Sequence, residues 1–166
     1  MVVVRDARTV EHSTSDKKVN SLINHVHNSL KGFHMCTVKV LLADDFEGFR
    51  HSLRLFLKSQ PGFEVVGEAV DGNDAIEKAE QLHPDLVLMD LEMPNRDGFD
   101  ATREIKRRLP QTRVVILSMH ASDVYRRAAR EFHADDFIDK NSMKFALVAI
   151  LMDEQARRTN VAANAA

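Results

Sequence analysis

From Val38 onward, short apolar runs alternate with longer stretches in which apolar residues recur every three or four positions. The runs VKVLLA (38–43), FEVVGEAV (63–70), DLVLMD (85–90), RVVILS (113–118) and DDFID (135–139) have the length of strands. The first, third and fourth are almost continuously apolar, as strands covered on both faces are. Between and after them, roughly 46–59, 72–82, 98–108, 120–132 and 141–157, the period is helical, and Pro61, Pro84 and Pro110 fall in the connections. Five strand-helix units in a row predict an α/β domain of the (βα)5 type, a parallel sheet with helices on both faces. On the first helix, Phe46, Phe49, Leu53, Phe56 and Leu57 repeat at three- and four-residue steps, which predicts a core-facing stripe.

Residues 1–36 read differently: they are polar, rich in Ser, Asn and His, and carry no strand signal. Within them Val19, Leu22, Ile23, Val26, Leu30 and Phe33 share one helical face, with Ser15 or Asp16 as N-cap and Gly32 as stop. Two readings stand side by side: one amphipathic helix that docks on the domain or on a partner, or a segment upstream of a true start at Met35. The domain is expected over 37–157, and residues 158–166, ending in TNVAANAA, as a frayed tail.

Composition narrows the class. A chain of 166 residues supports one core, and 44% hydrophobic and 29% charged residues with a net charge of -2 fit a soluble globular protein without a nucleic-acid bias. The single Cys36 cannot form an internal disulfide, which points to the cytoplasm. No run nears the roughly 18 apolar residues of a membrane span, and the opening MVVVRDAR is charged too early for a secretory signal. The eight histidines, His25, His27 and His34 among them, lack zinc-ligand spacing. Arg103, Lys106, Arg107, Arg108, Arg126, Arg127 and Arg130 read as solvated helix faces.

In open α/β sheets, ligands gather beyond the carboxyl ends of the strands. Those ends carry Asp44 and Asp45, Asp90, Ser118, and Asp139 with Lys140. A lone carboxylate there commonly caps the next helix; the coincidence of several changes the picture. Two carboxylates about 4 Å apart repel by roughly 4 kcal/mol at an effective dielectric near 20, so such a cluster calls for a cation. An open, all-oxygen site suits Mg²⁺. Lys140 adds a fixed positive charge, and Ser118 offers a hydroxyl donor.

The set ADD, LVLMDLEMPNRDGF, VVILS and DDFIDK resembles the bacterial two-component response-regulator receiver family, over residues 37 to about 155. Four separated motifs in the right order, each at a strand end, make the likeness specific. The resemblance implies a flavodoxin-like doubly wound sheet with strand order 2-1-3-4-5. It implies Asp90 as phosphoacceptor, and Asp44 and Asp45 as the acidic pair that holds Mg²⁺ together with Asp90 and the main-chain carbonyl of Glu92. Ser118 and Lys140 match the hydroxyl and lysine positions. Met93, Pro94 and Gly98 match the turn after the acceptor, and Phe137 the aromatic switch position. The implied output surface includes Tyr125 and Phe137. The implied partners are a sensor histidine kinase or phosphotransfer protein upstream, and a protein effector or a homodimer through the fourth-helix to fifth-helix face downstream. The stretch LSMHASDVYRRAAR is most similar to receivers that precede a helix-turn-helix module of the nitrate-response type. Only 26 residues follow Lys140, and most of them are needed for the last helix, so a stand-alone receiver without direct DNA binding is expected.

Several positions depart from the family pattern. His133 and Asp136 stand where glycines are common, Asn141 where proline is common, and Phe137 where tyrosine is commoner. A His tolerates positive φ better than a branched residue, so the turn at His133 is expected to survive. Glu92 and His120 lie near positions that tune phosphoryl lifetime in relatives. Two other functions fit the residues less well. An aspartyl phosphatase would place a second Asp two residues after its nucleophile, where Glu92 stands. A phosphorylation-independent interaction module would not need Asp44, Asp45, Asp90, Ser118 and Lys140 together. Signalling rather than enzymatic turnover is the expectation.

Overall fold

Side-chain alternation along the strands decides which residue serves which face, and the computed structural model resolves that alternation over the residues it describes, 37–120 and 122–164. β1 (Val38–Ala43), β2 (Phe63–Ala69), β3 (Leu86–Asp90), β4 (Arg113–Ser118) and β5 (Asp136–Asp139) form one parallel sheet in the order β2-β1-β3-β4-β5. Helices α1 (Glu47–Lys58), α2 (Gly72–Leu82), α3 (Gly98–Arg108), α4 (Asp123–Glu131) and α5 (Met143–Asn164) follow the strands in turn. On one face Val38, Val40, Leu42, Leu86, Leu88, Val115 and Leu117 meet Leu53 and Leu57 of α1 and Leu147 and Leu151 of α5. On the other, Leu41, Ala43, Val87, Met89, Val114 and Ile116 meet the small residues of α2, α3 and α4, chiefly alanines with Ile76 and Ile105. Each buried aliphatic side chain contributes about 1.5–3 kcal/mol, so both layers are needed to hold the sheet.

The expected (βα)5 doubly wound fold and its strand order are therefore present. The amphipathic helix expected within residues 15–33 lies outside the described residues. Three local expectations need correction. Phe46 does not join the core stripe: it is 70% exposed and precedes α1 as its N-cap, while Arg50, 8% exposed, lies inward with Leu53 and Leu57. The fourth helix begins at Asp123 rather than at 120: Ser118 Oγ accepts the His120 N–H at 3.0 Å, and Ser122 stands at the N-cap position in extended backbone. The last helix is preceded by a 3-10 turn, Lys140–Ser142, capped by the Asp139 side chain on Asn141 N. It runs on through Asn164, where a frayed tail from 158 was expected. Arg157 pairs with Glu154 at 3.2 Å, and Arg158 ties that end to Asp85 ahead of β3 at 3.0 Å.

Two of the departing positions find physical accounts. His133 has φ 65° in the turn after α4, where Ala134 N donates to Ala129 O at 2.9 Å, so the turn closes with a His in the left-handed region at a cost on the order of 1 kcal/mol. Asp136 pairs with Arg113 at 2.6 Å. Lys106 is also not a solvated charge: its Nζ donates to Asp135 and to the Thr112 carbonyl, joining α3 to the start of β5. No helix among the described residues is long and apolar enough to cross a membrane.

Candidate functional site

The register of the sheet brings four strand ends together. Ala43 sits opposite Met89, Asp90 opposite Leu117, and Ser118 opposite Asp139, so the residues that close β1, β3, β4 and β5 share one edge. At that edge a ligand atom from each of Asp44, Asp45 and Asp90 lies within 4.8 Å of the others. Asp44 and Asp90 are buried while Asp45 is exposed. Lys140, delivered by the turn after β5, places Nζ 2.6 Å from Asp44 Oδ2 and 2.7 Å from Asp90 Oδ1. The same ammonium lies 4.4 Å from the Phe49 ring centroid, so an aromatic face covers its other side.

Asp44 is fixed at every polar atom. Its N–H donates to Ala69 O at 3.1 Å, Oδ1 accepts the Phe46 N–H at 2.9 Å, and its carbonyl accepts from the Arg50 guanidinium at 2.7 Å. Arg50 in turn donates to Glu68 on β2 at 3.2 Å. Sequence reading missed Arg50, although a signal was present: it stands three residues before Leu53 and seven before Leu57, on the inward face. An Arg on that face needs acceptors, and here it finds them at the acidic edge.

Burial pushes the Asp90 carboxyl up to about 6, against the hydrogen bond and charge of Lys140 and with the charge of Asp44 adding to the rise. Burial also opposes charge on Lys140, but its hydrogen bonds to Asp44 and Asp90 win and raise its pKa. Three carboxylates against one ammonium leave the site anionic. Its donors are all hard oxygens with one member open to solvent, so the residues fit a divalent cation such as Mg²⁺.

After β3 the chain turns tightly back on the strand. Leu91 N donates to Leu117 O and Gly98 N donates to Leu91 O. A Cβ at position 98 would strike the Asp90 carbonyl, so glycine is required there. Asn95, at φ 63°, donates from its side chain to Asp71 Oδ2 at 2.7 Å and docks this loop on the start of α2. Glu92 sits in the same loop, and its side chain points to the rim, 3.3 Å from His120 Nε2. The His120 ring stacks on Tyr125 of α4 with centroids 5.5 Å apart. Phe137, in β5, is partly buried with the Arg126 guanidinium 5.1 Å above its ring. The edge thus gathers Asp44, Asp45, Asp90 and Lys140; Ser118 ends the neighbouring strand, and Tyr125 and Phe137 lie on the α4 and β5 side.

The comparisons with known proteins agree with this geometry. The sequence pattern of the response regulator receiver domain matches residues 40–152. The response regulator protein VraR of Staphylococcus epidermidis is 47% identical over 107 residues, which are 63% of this chain and 50% of that protein. A protein-glutamate methylesterase/protein-glutamine glutaminase of Alkalilimnicola ehrlichii is 42% identical over 123 residues, 73% of this chain but 30% of the relative. The chain thus spans about half the length, or less, of these curated relatives. Among solved structures, the response regulator domain of Thermotoga maritima CheB superposes with a TM-score of 0.64 at 33% identity, covering 75% of this chain and 97% of that one. Sequence pattern, relatives and fold converge: this chain belongs to the response regulator receiver domain family of two-component signalling.

Proposed function

We propose that this receiver accepts a phosphoryl group on Asp90 from a histidine kinase or phosphotransfer protein in the cytoplasm and transmits the event by a change of conformation. The observation that carries the reading is the Lys140 ammonium bridging Asp44 and Asp90 beside Asp45. Asp44, Asp45, Asp90 and the main-chain carbonyl of Glu92 would hold Mg²⁺, which would supply charge neutralisation for the transferring phosphoryl group. An Asp90 carboxylate oxygen is the nucleophile: it forms the new P–O bond as the donor's bond to phosphorus breaks. Lys140 stays within reach of Asp90 and pairs with a phosphoryl oxygen. The chain positions and neutralises rather than turning over a substrate of its own.

Ser118 supplies the response. Its Oγ accepts the His120 N–H, which leaves the hydroxyl proton free to donate to a phosphoryl oxygen once one is present. That interaction exists only in the phosphorylated state, so it biases the conformation, and Phe137 follows by turning inward. Moving such an equilibrium from 1:99 to 99:1 takes about 5.5 kcal/mol. The α4, β5 and α5 side, with Tyr125 and Phe137, then meets a protein effector or a second copy of the chain.

The test is incubation with acetyl phosphate and Mg²⁺ followed by intact mass measurement of wild type and Asp90→Asn. Wild type should gain one phosphoryl mass and the variant none. Absence of the gain in wild type, with another receiver labelled in parallel, would point instead to an interaction module that works without phosphorylation.

A further inference from the structure

A cleft of about 250 Å³ opens between α4 and β5, and its lining holds two arginines and two aspartates around Phe137. The charges do not cancel within it. Asp135 is already engaged by Lys106 Nζ at 3.0 Å and by the Val114 N–H at 2.7 Å, and Asp136 by Arg113 at 2.6 Å. Among the described residues the Arg126 guanidinium donates to the Phe137 carbonyl alone, at 3.3 Å, and it covers the Phe137 ring. Among the described residues no carboxylate pairs with Arg126, Arg127 or Arg130. Arg126 and Arg130 are four residues apart, one turn of α4, so both reach the same cleft, whose walls include the methyl groups of Ala129 and Ala134.

We propose that this cleft receives an acidic segment of a protein partner, with an Asp or Glu carboxylate held between Arg126 and Arg130 and an aliphatic neighbour resting on Ala129 and Ala134. Charge complementarity selects the carboxylate, since a guanidinium fork without an acidic partner binds one in two-point geometry. The apolar walls select a peptide over a free anion. A nucleic-acid backbone fits poorly: the chain carries a net charge of -2, and Asp123 and Glu131 stand at the two ends of α4. The inference rests on the phosphorylation reading only for the statement that this side carries the signal; it adds the chemistry of the partner. Arg126 joins the two, because the guanidinium that would take the carboxylate is the one now stacked on Phe137.

The experiment uses the full chain and fluorescence anisotropy with a labelled peptide of alternating Glu and Leu, its Gln-for-Glu counterpart, and random-sequence duplex DNA as competitor. Arg130 is exposed, so Arg130→Gln leaves the fold intact, and Arg126→Lys keeps charge while removing the planar fork. The Glu peptide should bind, the Gln peptide should not, and either variant should weaken binding about tenfold, the scale of one lost charge-assisted pair. Equal binding of the two peptides, no binding, insensitivity to both variants, or displacement by DNA at matched charge would each overturn the proposal. Repeating the titration with acetyl phosphate and Mg²⁺ separates the readings. An affinity that depends on the arginines but not on phosphorylation would sustain the cleft and remove its control by Asp90.

Discussion

Lys140 donates from Nζ to Asp44 Oδ2 at 2.6 Å, closing the acidic edge across 96 residues of sequence. The contact belongs to tertiary structure alone, because β1 and β5 are not neighbours in the sheet. With Lys140→Met, Asp44 and Asp90 would face each other in a buried setting without a counter-charge. The variant should lose on the order of 3 kcal/mol of stability when no divalent cation is present. Urea denaturation with and without Mg²⁺ checks this: Mg²⁺ should recover more stability in the variant than in wild type. Equal metal-free stabilities would mean that the ammonium does not hold the site together.

Asp90 gives a pH dependence with a defined sign. Its folded pKa, about 6, lies above the ordinary 3.8 because burial disfavours the carboxylate. The folded state therefore binds the proton more tightly than the unfolded state, which stabilises the protein fully below about pH 4. That contribution, about 3 kcal/mol, is lost as pH rises through 6. In metal-free wild type, stability attributable to this group should fall between pH 4 and 7, and Asp90→Asn should flatten the slope. Mg²⁺ should bind more weakly at pH 5 than at pH 8, since it competes with that proton; chemical denaturation and calorimetric titration read the two effects separately.

Much of this was legible in the sequence because period and strand-end chemistry are local. Near-continuous apolar runs identified the buried strands, and the carboxylates that follow β1 and close β3 could be placed at one edge without coordinates. What could not be read was pairing at a distance. Arg50 has no assignable role in the sequence alone, because its acceptors, the Asp44 carbonyl and Glu68, come beside it only in the fold. Lys106 looked like one of several solvated cations until Asp135 came beside it. Phe46 fitted the helical stripe by spacing, but the Asp44 carboxylate accepts its N–H and holds it outside α1. Helix ends failed for a related reason: Ser118 Oγ accepts the His120 N–H ahead of α4, and an ion pair to Asp85 accompanies the extension of α5.

Gly98 tests the turn beneath Asp90. The Cβ of an alanine there would overlap the Asp90 carbonyl and press on Leu91, both of them backbone that cannot swing away. Gly98→Ala normally gains helix propensity of up to about 1 kcal/mol, but the overlap should reverse the sign and cost several times that. Thermal melting should show a large drop in Tm, and the fraction phosphorylated by acetyl phosphate should fall with it because the same strain displaces Asp90. A Tm at or above that of wild type would show that the β3 to α3 turn can open without penalty.

Arg113 poses the complementary case, a buried charge far from the chemistry. It opens β4, at the opposite end of the strand from Ser118, and its guanidinium reaches Asp136 and Asp153 at 2.6 Å and the buried Glu154 at 3.4 Å. One cation thus joins β4, β5 and α5, and Asp136, which departs from the glycine common at its position, is one of its acceptors. Arg113→Met would leave Glu154 with Arg157 alone and should cost about 3 kcal/mol, whereas Asp136→Gly removes a carboxylate that is 39% exposed and should cost about 1 kcal/mol or less. Combining the two should cost less than their sum, since the second change removes a partner the first has already disconnected. If the network is structural, both variants should still take up one phosphoryl group on Asp90 at a temperature where they are folded. Loss of labelling in a folded Arg113→Met would instead tie this end of the sheet to the acidic edge.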